Sequence, residues 1–225
     1  MKDRLSKGSE TTTSTQERDA LSRVVVAPDH GKRKRMSKPT RYGDLDDGRL
    51  YTCLNAGGSE AELAFAELYS RYSHRIYGYC MTMLGHAEEA NDVFQDTFVK
   101  FYNSAVKGQT VANVPGYLFR IARNLCLNHK RDSKVTIEFD EIQFLSFDDS
   151  YEKKELLKLL QTSIDLLEDE YREALILREI YGMNYAEMAE ITEDSIPALR
   201  NRVWRAKDKL REILSPYLSE LSNLK

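Results

Sequence analysis

Between Ala198 and Arg211 the chain carries Arg200, Asn201, Arg202, Arg205, Lys207, Lys209 and Arg211, a run rich in cations with one amide. Arg and Lys neutralise phosphates; Arg also pairs with a guanine edge and Asn with an adenine edge in the major groove. Such groups act together only when one rigid element presents them on one face. Leu199, Val203, Ala206 and Leu210 recur at helical spacing through the same stretch, which therefore reads as a helix with an apolar side and a basic side. Pro197 falls in its first turn, where a missing amide donor costs nothing. Upstream, Tyr185 to Ile191 sets Met188, Ala189 and Ile191 at helical spacing, and Thr192-Glu193-Asp194-Ser195 supplies a polar turn. Short helix, turn and long basic helix is the order of a DNA-binding helix-turn-helix. The turn holds Glu193 or Asp194 where many such units have Gly. A left-handed residue there costs about 1 kcal/mol, and Asp tolerates it better than Glu.

The 225 residues are 41% hydrophobic, enough for one or two modest cores. Net charge is only −3, so the signal lies in its distribution. The N-terminal 49 residues are basic and include GKRKRMSK at Gly31 to Lys38, the stretch Glu138 to Asp149 is acidic, and the last long helix is basic. Cys53, Cys80 and Cys126 lie far apart without a CxxC pair, and His30, His74, His86 and His129 share no ligand spacing with them. No metal or other cofactor is expected. Cys80 and Cys126 sit in apolar helical patterns and read as small buried hydrophobes. Free thiols, no secretory apolar region and no long apolar run predict a cytoplasmic protein without membrane insertion.

Residues 1–48, low in bulky apolar side chains, read as a disordered basic extension, whose KRKR run fits either a loose nucleic-acid tether or a solubilising tail. Helical periodicity starts at Glu60 and runs through Leu63, Ala66, Leu68, Tyr69, Tyr72, Ile76, Tyr79, Cys80 and Met83 until Gly85 stops it. A second helix opens near His86 with Glu88 and Glu89 in its first turn and carries Ala90, Val93, Phe94, Thr97, Phe98 and Phe101 on one side. A third spans Tyr117 to Arg131 with Leu118, Ile121, Ala122, Leu125 and Cys126 inward. Residues 132–150 lack a period and read as an acidic flexible linker. Helical pattern returns at Tyr151, and Glu170 to Tyr181 forms another helix closed by Gly182. The expected fold is all-α: two small helical domains, 49–131 and 151–225, with the helix-turn-helix in the second. No nucleophile–base pair or metal cluster has convincing spacing, so no catalytic residue, small-molecule substrate or enzymatic activity is expected.

With both domains laid out, the sequence resembles the extracytoplasmic-function (group IV) sigma factors of bacterial RNA polymerase. The resemblance rests on AFAELYSRYSHRIYGY at Ala64 to Tyr79, AEEANDVFQDTFVKFY at Ala87 to Tyr102 and GYLFRIARNLCLNHKRD at Gly116 to Asp132. It continues with LLEDEYREALILREIYGMNYAEMAEIT at Leu166 to Thr192 and ALRNRVWRAKDKLR at Ala198 to Arg211. The resemblance implies an initiation factor that binds core polymerase, selects promoters and helps melt the minus-ten element. Asp92, Gln95, Asp96 and Phe98 fall on the helix that in the family docks on a coiled coil of the polymerase large subunit. Phe119, Arg120 and Asn124 fall where the family captures an unstacked minus-ten base; Arg123, Lys130 and Arg131 add cations for the backbone. The loop from Ala105 to Pro115 would form the other wall, and Tyr117 stands where the family usually has Trp. Ala198 to Lys207 would read the minus-thirty-five element, with Arg200, Asn201 and Arg205 at base edges or phosphates. Arg202 also lies in that segment, and Lys207 is expected nearer the backbone or solvent. Trp204 replaces a common His and either packs on the sugar-phosphate or covers the core. Partners implied are core RNA polymerase, promoter DNA and an anti-sigma factor. A second reading stays open on the residues alone: a stand-alone helix-turn-helix regulator whose first domain is a sensor built round a closed apolar cavity.

Overall fold

A computed structural model describes residues 42–132 and 151–223, and every element among them is helical. The elements are α1 (Asp47–Leu54), α2 (Gly58–Leu84), α3 (Ala87–Val106), α4 (Val114–Asp132), α5 (Tyr151–Asp165), α6 (Asp169–Leu175), a π-helical turn (Ile176–Ile180), α7 (Tyr185–Thr192) and α8 (Ile196–Asn223). Of the acidic stretch expected to be a linker, 132–150, Asp132 closes α4 and residues 133–150 lie outside the described residues, as does most of the expected N-terminal extension. Structure nevertheless begins before residue 49. Tyr42 to Leu45 form a turn, and the Asp46 carboxylate accepts the Arg49 amide at 2.8 Å to cap α1, a helix the periodicity did not announce.

The described residues gather into two compact units whose boundary runs through α2 and α3. One comprises residues up to His74 and Gln95–Val114; the other comprises Arg75–Phe94 and the chain from Pro115 onward. The first unit has an aromatic core. Phe65 meets Phe98 edge-on at 6.2 Å and Tyr102 at 5.5 Å, Tyr69 meets Phe98 at 4.9 Å, and Tyr51 meets Phe101 at 5.2 Å. Arg71 ties α1 to this core. Its guanidinium donates to Asp47 Oδ1 and Glu67 Oε1, both at 2.8 Å, and to the Gly43 carbonyl at 2.9 Å. The planar fork satisfies three acceptors that a lysine could not reach together.

In the second unit, Gly85 stops α2 with φ +80° and donates its amide to the Met81 carbonyl at 2.9 Å. The α4 face that turns inward here is Leu118, Phe119, Ala122 and Cys126, all buried. A further core joins Ile164 and Leu167 to Leu175 and Ala206, with Tyr171 and Leu210 packed against them. The end of α5 would leave carbonyls unmatched beside this core. The buried Arg172 answers by donating to the carbonyls of Ile164 at 3.2 Å, Leu167 at 2.9 Å and Asp165.

One carboxylate joins three segments of the second unit. Glu173 of α6 is buried; its Oε1 accepts from the Tyr79 hydroxyl of α2 at 2.7 Å and from Arg123 Nε of α4 at 2.8 Å. Nearby, Phe119 packs between Tyr79 (5.6 Å, edge-on) and Tyr181 (5.1 Å), with the Arg75 guanidinium over both Phe119 and Tyr181. Tyr181 donates to the Arg75 carbonyl at 2.9 Å. Burial pushes the Tyr79 and Tyr181 phenols well above the ordinary tyrosine range, and in the first unit it pushes Tyr69 up to about 12.

Three outcomes follow from this packing. Removing the shared acceptor with Glu173→Ala leaves Arg123 and Tyr79 without it, and urea unfolding should show a loss of about 3–5 kcal/mol. A change below 1 kcal/mol would show that the network contributes little. A phenol with a raised folded pKa is held protonated by the fold, so its contribution is complete below the unfolded value near 10. It is lost as pH rises from there through the folded value. Stability should therefore fall above pH 10, with phenolate absorbance appearing together with unfolding; phenolate signal from Tyr79 and Tyr181 in a fully folded chain would contradict this. Lastly, Glu193, the only non-glycine with positive φ (63°) among the described residues, should give way to Gly with a gain of about 1 kcal/mol, read as a higher unfolding midpoint.

Candidate nucleic-acid interface

The helix-turn-helix is built from its caps upward. The Asn184 side chain accepts the amides of Ala186 at 2.9 Å and Glu187 at 3.0 Å, while Glu187 Oε2 accepts the Asn184 amide at 2.7 Å. This reciprocal pair fixes where α7 starts. Met188 and Ile191 turn into the core, and Thr192 donates to the Met188 carbonyl at 3.0 Å. Glu193 then takes the left-handed conformation that turns the chain, and Ser195 Oγ accepts the Ala198 amide at 3.4 Å as α8 begins. Of the two acidic candidates, the less tolerant Glu holds the strained position. The turn survives because packing on both sides fixes its ends.

Along α8, Leu199, Val203 and Ala206 are buried, so the opposite face is left to solvent. Arg200, Asn201, Trp204, Arg205, Lys207 and Arg211 are exposed, and Ala198 is half-buried. The Arg200 guanidinium lies 5.5 Å from the Tyr185 ring, which steadies it from α7. Arg202 departs from its expected place. It points to the side, where it pairs with Asp194 and, through Nε, with Glu170 at 3.2 Å; the Asp194 hydrogen bond is the main reason its pKa is raised. It orients the turn rather than facing outward. Lys207 pairs with Glu179 at 2.8 Å and keeps an exposed side chain.

Two of the expected contact residues lie in the interior, and the reason is helical geometry. Phe98, expected on the polymerase-facing helix surface, is fully buried against Phe65 and Tyr69. Asp92 is exposed on the same helix, while Gln95 and Asp96 are half-buried. Phe119, expected as an aromatic wall for a base, is likewise fully buried between Tyr79 and Tyr181. Arg123 spends its charge on Glu173, and Lys130 pairs with Asp169 at 2.5 Å. Asn124 and Arg131 are exposed, and half-buried Arg120 stacks at 5.5 Å on the Tyr117 ring. Glu173, Tyr181 and Asn184 were not singled out from sequence. A carboxylate set directly before Ala174, Leu175, Ile176 and Leu177 was the available sign that Glu173 lies at a buried interface.

A cleft of about 250 Å³ lies beside this network, lined by Met83, Leu127 and Thr192 with Asp169, Glu170, Glu173 and Asp194 facing Arg123 and Arg202. Charged side chains make up most of its lining. Among the described residues no cluster of His, Cys, Asp and Glu could hold a metal ion, and no helix is long and apolar enough to cross a membrane.

Comparison with known proteins agrees with this layout. Residues 68–136 match Sigma-70 region 2, and residues 157–210 match Sigma-70, region 4. The chain is 30% identical over 164 residues to the RNA polymerase sigma factor YlaC of Bacillus subtilis, covering 65% of this chain and 89% of that one. It is 27% identical over 166 residues to the ECF RNA polymerase sigma factor SigW of the same organism, covering 67% and 89%. Among solved structures, the sigma factor RpoE of Bartonella quintana, determined in complex with the anti-sigma factor NepR, shares the fold with a TM-score of 0.58 at 24% identity, covering 67% of this chain and 96% of that one. From these matches and the two regions in their order, the chain belongs to the extracytoplasmic-function sigma factors of RNA polymerase.

Proposed function

We propose that this sigma factor directs core RNA polymerase to promoters by reading duplex DNA of the upstream element with the exposed face of α8. The observation that carries the reading is the separation on that helix. Leu199, Val203 and Ala206 anchor it, while Arg200, Asn201 and, about one turn after Asn201, Arg205 stand exposed, where base edges and phosphates can be reached together. Ala198 allows close approach at the start of the helix, and Lys207 adds backbone attraction.

The minus-ten strand is assigned to α4. Asn124, Arg120, Lys130 and Arg131 lie along its outer part, with Tyr117 as the accessible ring. Phe119 and Arg123 reach DNA only after leaving Tyr181 and Glu173, so their part in base capture requires α4 to part from those residues. Core polymerase docks on α3 through Asp92, Gln95 and Asp96, an acidic and amide-bearing surface suited to a basic partner. Phe98 supports that surface from inside. An anti-sigma factor is the expected regulator, and the protein acts in the cytoplasm as a binding factor rather than an enzyme.

Run-off transcription from a promoter library, with purified core polymerase, tests the assignment. Initiation should depend on the protein and define two sequence elements. Arg200→Ala should cost about 1–3 kcal/mol of discrimination at one upstream position and leave the downstream element unchanged. The paired change Asp92→Ala with Asp96→Ala should reduce polymerase binding while the circular-dichroism melt stays intact. No protein-dependent initiation, together with tight duplex binding by the chain alone, would replace this reading with a stand-alone regulator.

A further inference from the structure

Trp204 is the residue of α8 whose position the basic face does not explain. It is the chain's only tryptophan and is 63% exposed. Covering the core is thereby excluded as its role. At 100° per residue it points away from Leu199, Val203 and Ala206. Its helical neighbours on the outer face are Arg200 one turn before, Asn201 three residues before and Lys207 three residues after. A large apolar ring thus stands in the middle of a polar and cationic surface.

We propose that Trp204 is a specificity residue that contacts the C5-methyl of a thymine in the upstream promoter element; this rests on the DNA-reading role given to α8. The major-groove edge offers donors and acceptors at every base pair but one apolar group, the thymine methyl. An indole brings its own apolar area to that contact and loses water there without stranding a charge. Position sets the register. Four residues along a helix is about 6 Å, so Trp204 meets the groove about two base pairs from the base under Arg200. Arg200, held against the Tyr185 ring, and Asn201 fix the helix in the groove, and Trp204 then samples one neighbouring methyl. Packing against deoxyribose outside the groove would give affinity without sequence preference, which separates the two roles experimentally.

The test uses the full chain with core polymerase on its preferred promoter. Each upstream thymine is replaced in turn by deoxyuracil, which removes only the methyl. One replacement, about two base pairs from the position sensitive to Arg200→Ala, should weaken promoter binding about four-fold, the worth of one buried methyl. Trp204→Ala should lose at least that factor on thymine DNA and become indifferent to the same replacement. Trp204→Phe should retain part of the sensitivity. Indole emission of the free chain, which comes from Trp204 alone, should shift to the blue as that duplex is added. Indifference of the native protein to every deoxyuracil, or an equal loss by Trp204→Ala on all sequences, would overturn the proposal and place the ring on the sugar-phosphate. Either result would leave the sigma-factor role standing, whereas absence of protein-dependent initiation on any promoter would remove that role itself.

Discussion

A single buried carboxylate organises the second unit. Glu173 sits on α6 with a strong hydroxyl donor from α2 and a guanidinium from α4 on the same oxygen. In low-dielectric surroundings a charge of this kind is stable only while its partners are in place. The positions of Tyr79, Arg123 and α6 are therefore fixed jointly, and with them the orientation of α4. Phe119 lies one turn from Arg123 on the same helix and fills the space between Tyr79 and Tyr181. Phe119 and Arg123, the residues proposed for base capture, are thus already engaged inside the protein. In the proposed reading DNA competes with the protein's own packing for them, and apparent affinity is reduced to the fraction of chains with α4 released.

The helix-turn-helix meets a different requirement, which is placement rather than burial. Its turn accepts a left-handed Glu193 because the Asn184–Glu187 capping box fixes one end and the Arg202 pairs with Asp194 and Glu170 fix the other. Arg202 illustrates how a basic helix divides its charges. The cation at the side of α8 is consumed in positioning, while those at Arg200 and Arg205 stay outward. Counting cations along the sequence does not make that distinction; the angle round the helix does.

Much of this was legible in the sequence. The helical class, the stops at Gly85 and Gly182, the inward Leu118, Ala122 and Cys126, and the helix-turn-helix all follow from periodicity and backbone chemistry. Three matters did not. Helix α1 is short and its moderate apolar content gave no repeat, so its Asp46 cap and its ties to Arg71 emerged only with tertiary contacts. Phe98 and Phe119 are aromatic residues on amphipathic helices, a pattern that suits a core and a ligand wall equally well, and only the structure shows that both rings are buried. Glu173, Arg172 and Arg123 look like solvated charges when read along the chain, because their partners are 5 to 94 residues away.

The shared oxygen of Glu173 also constrains how such a sequence can drift. Changing any one of Tyr79, Arg123 or Glu173 alone strands a polar partner in the interior, whereas exchanging all three for apolar residues of similar volume is close to neutral. Single steps descend from a ridge that a concerted triple step crosses on the level. The three positions are therefore bound by epistasis, and a descendant lineage is expected to keep the trio whole or lose it whole.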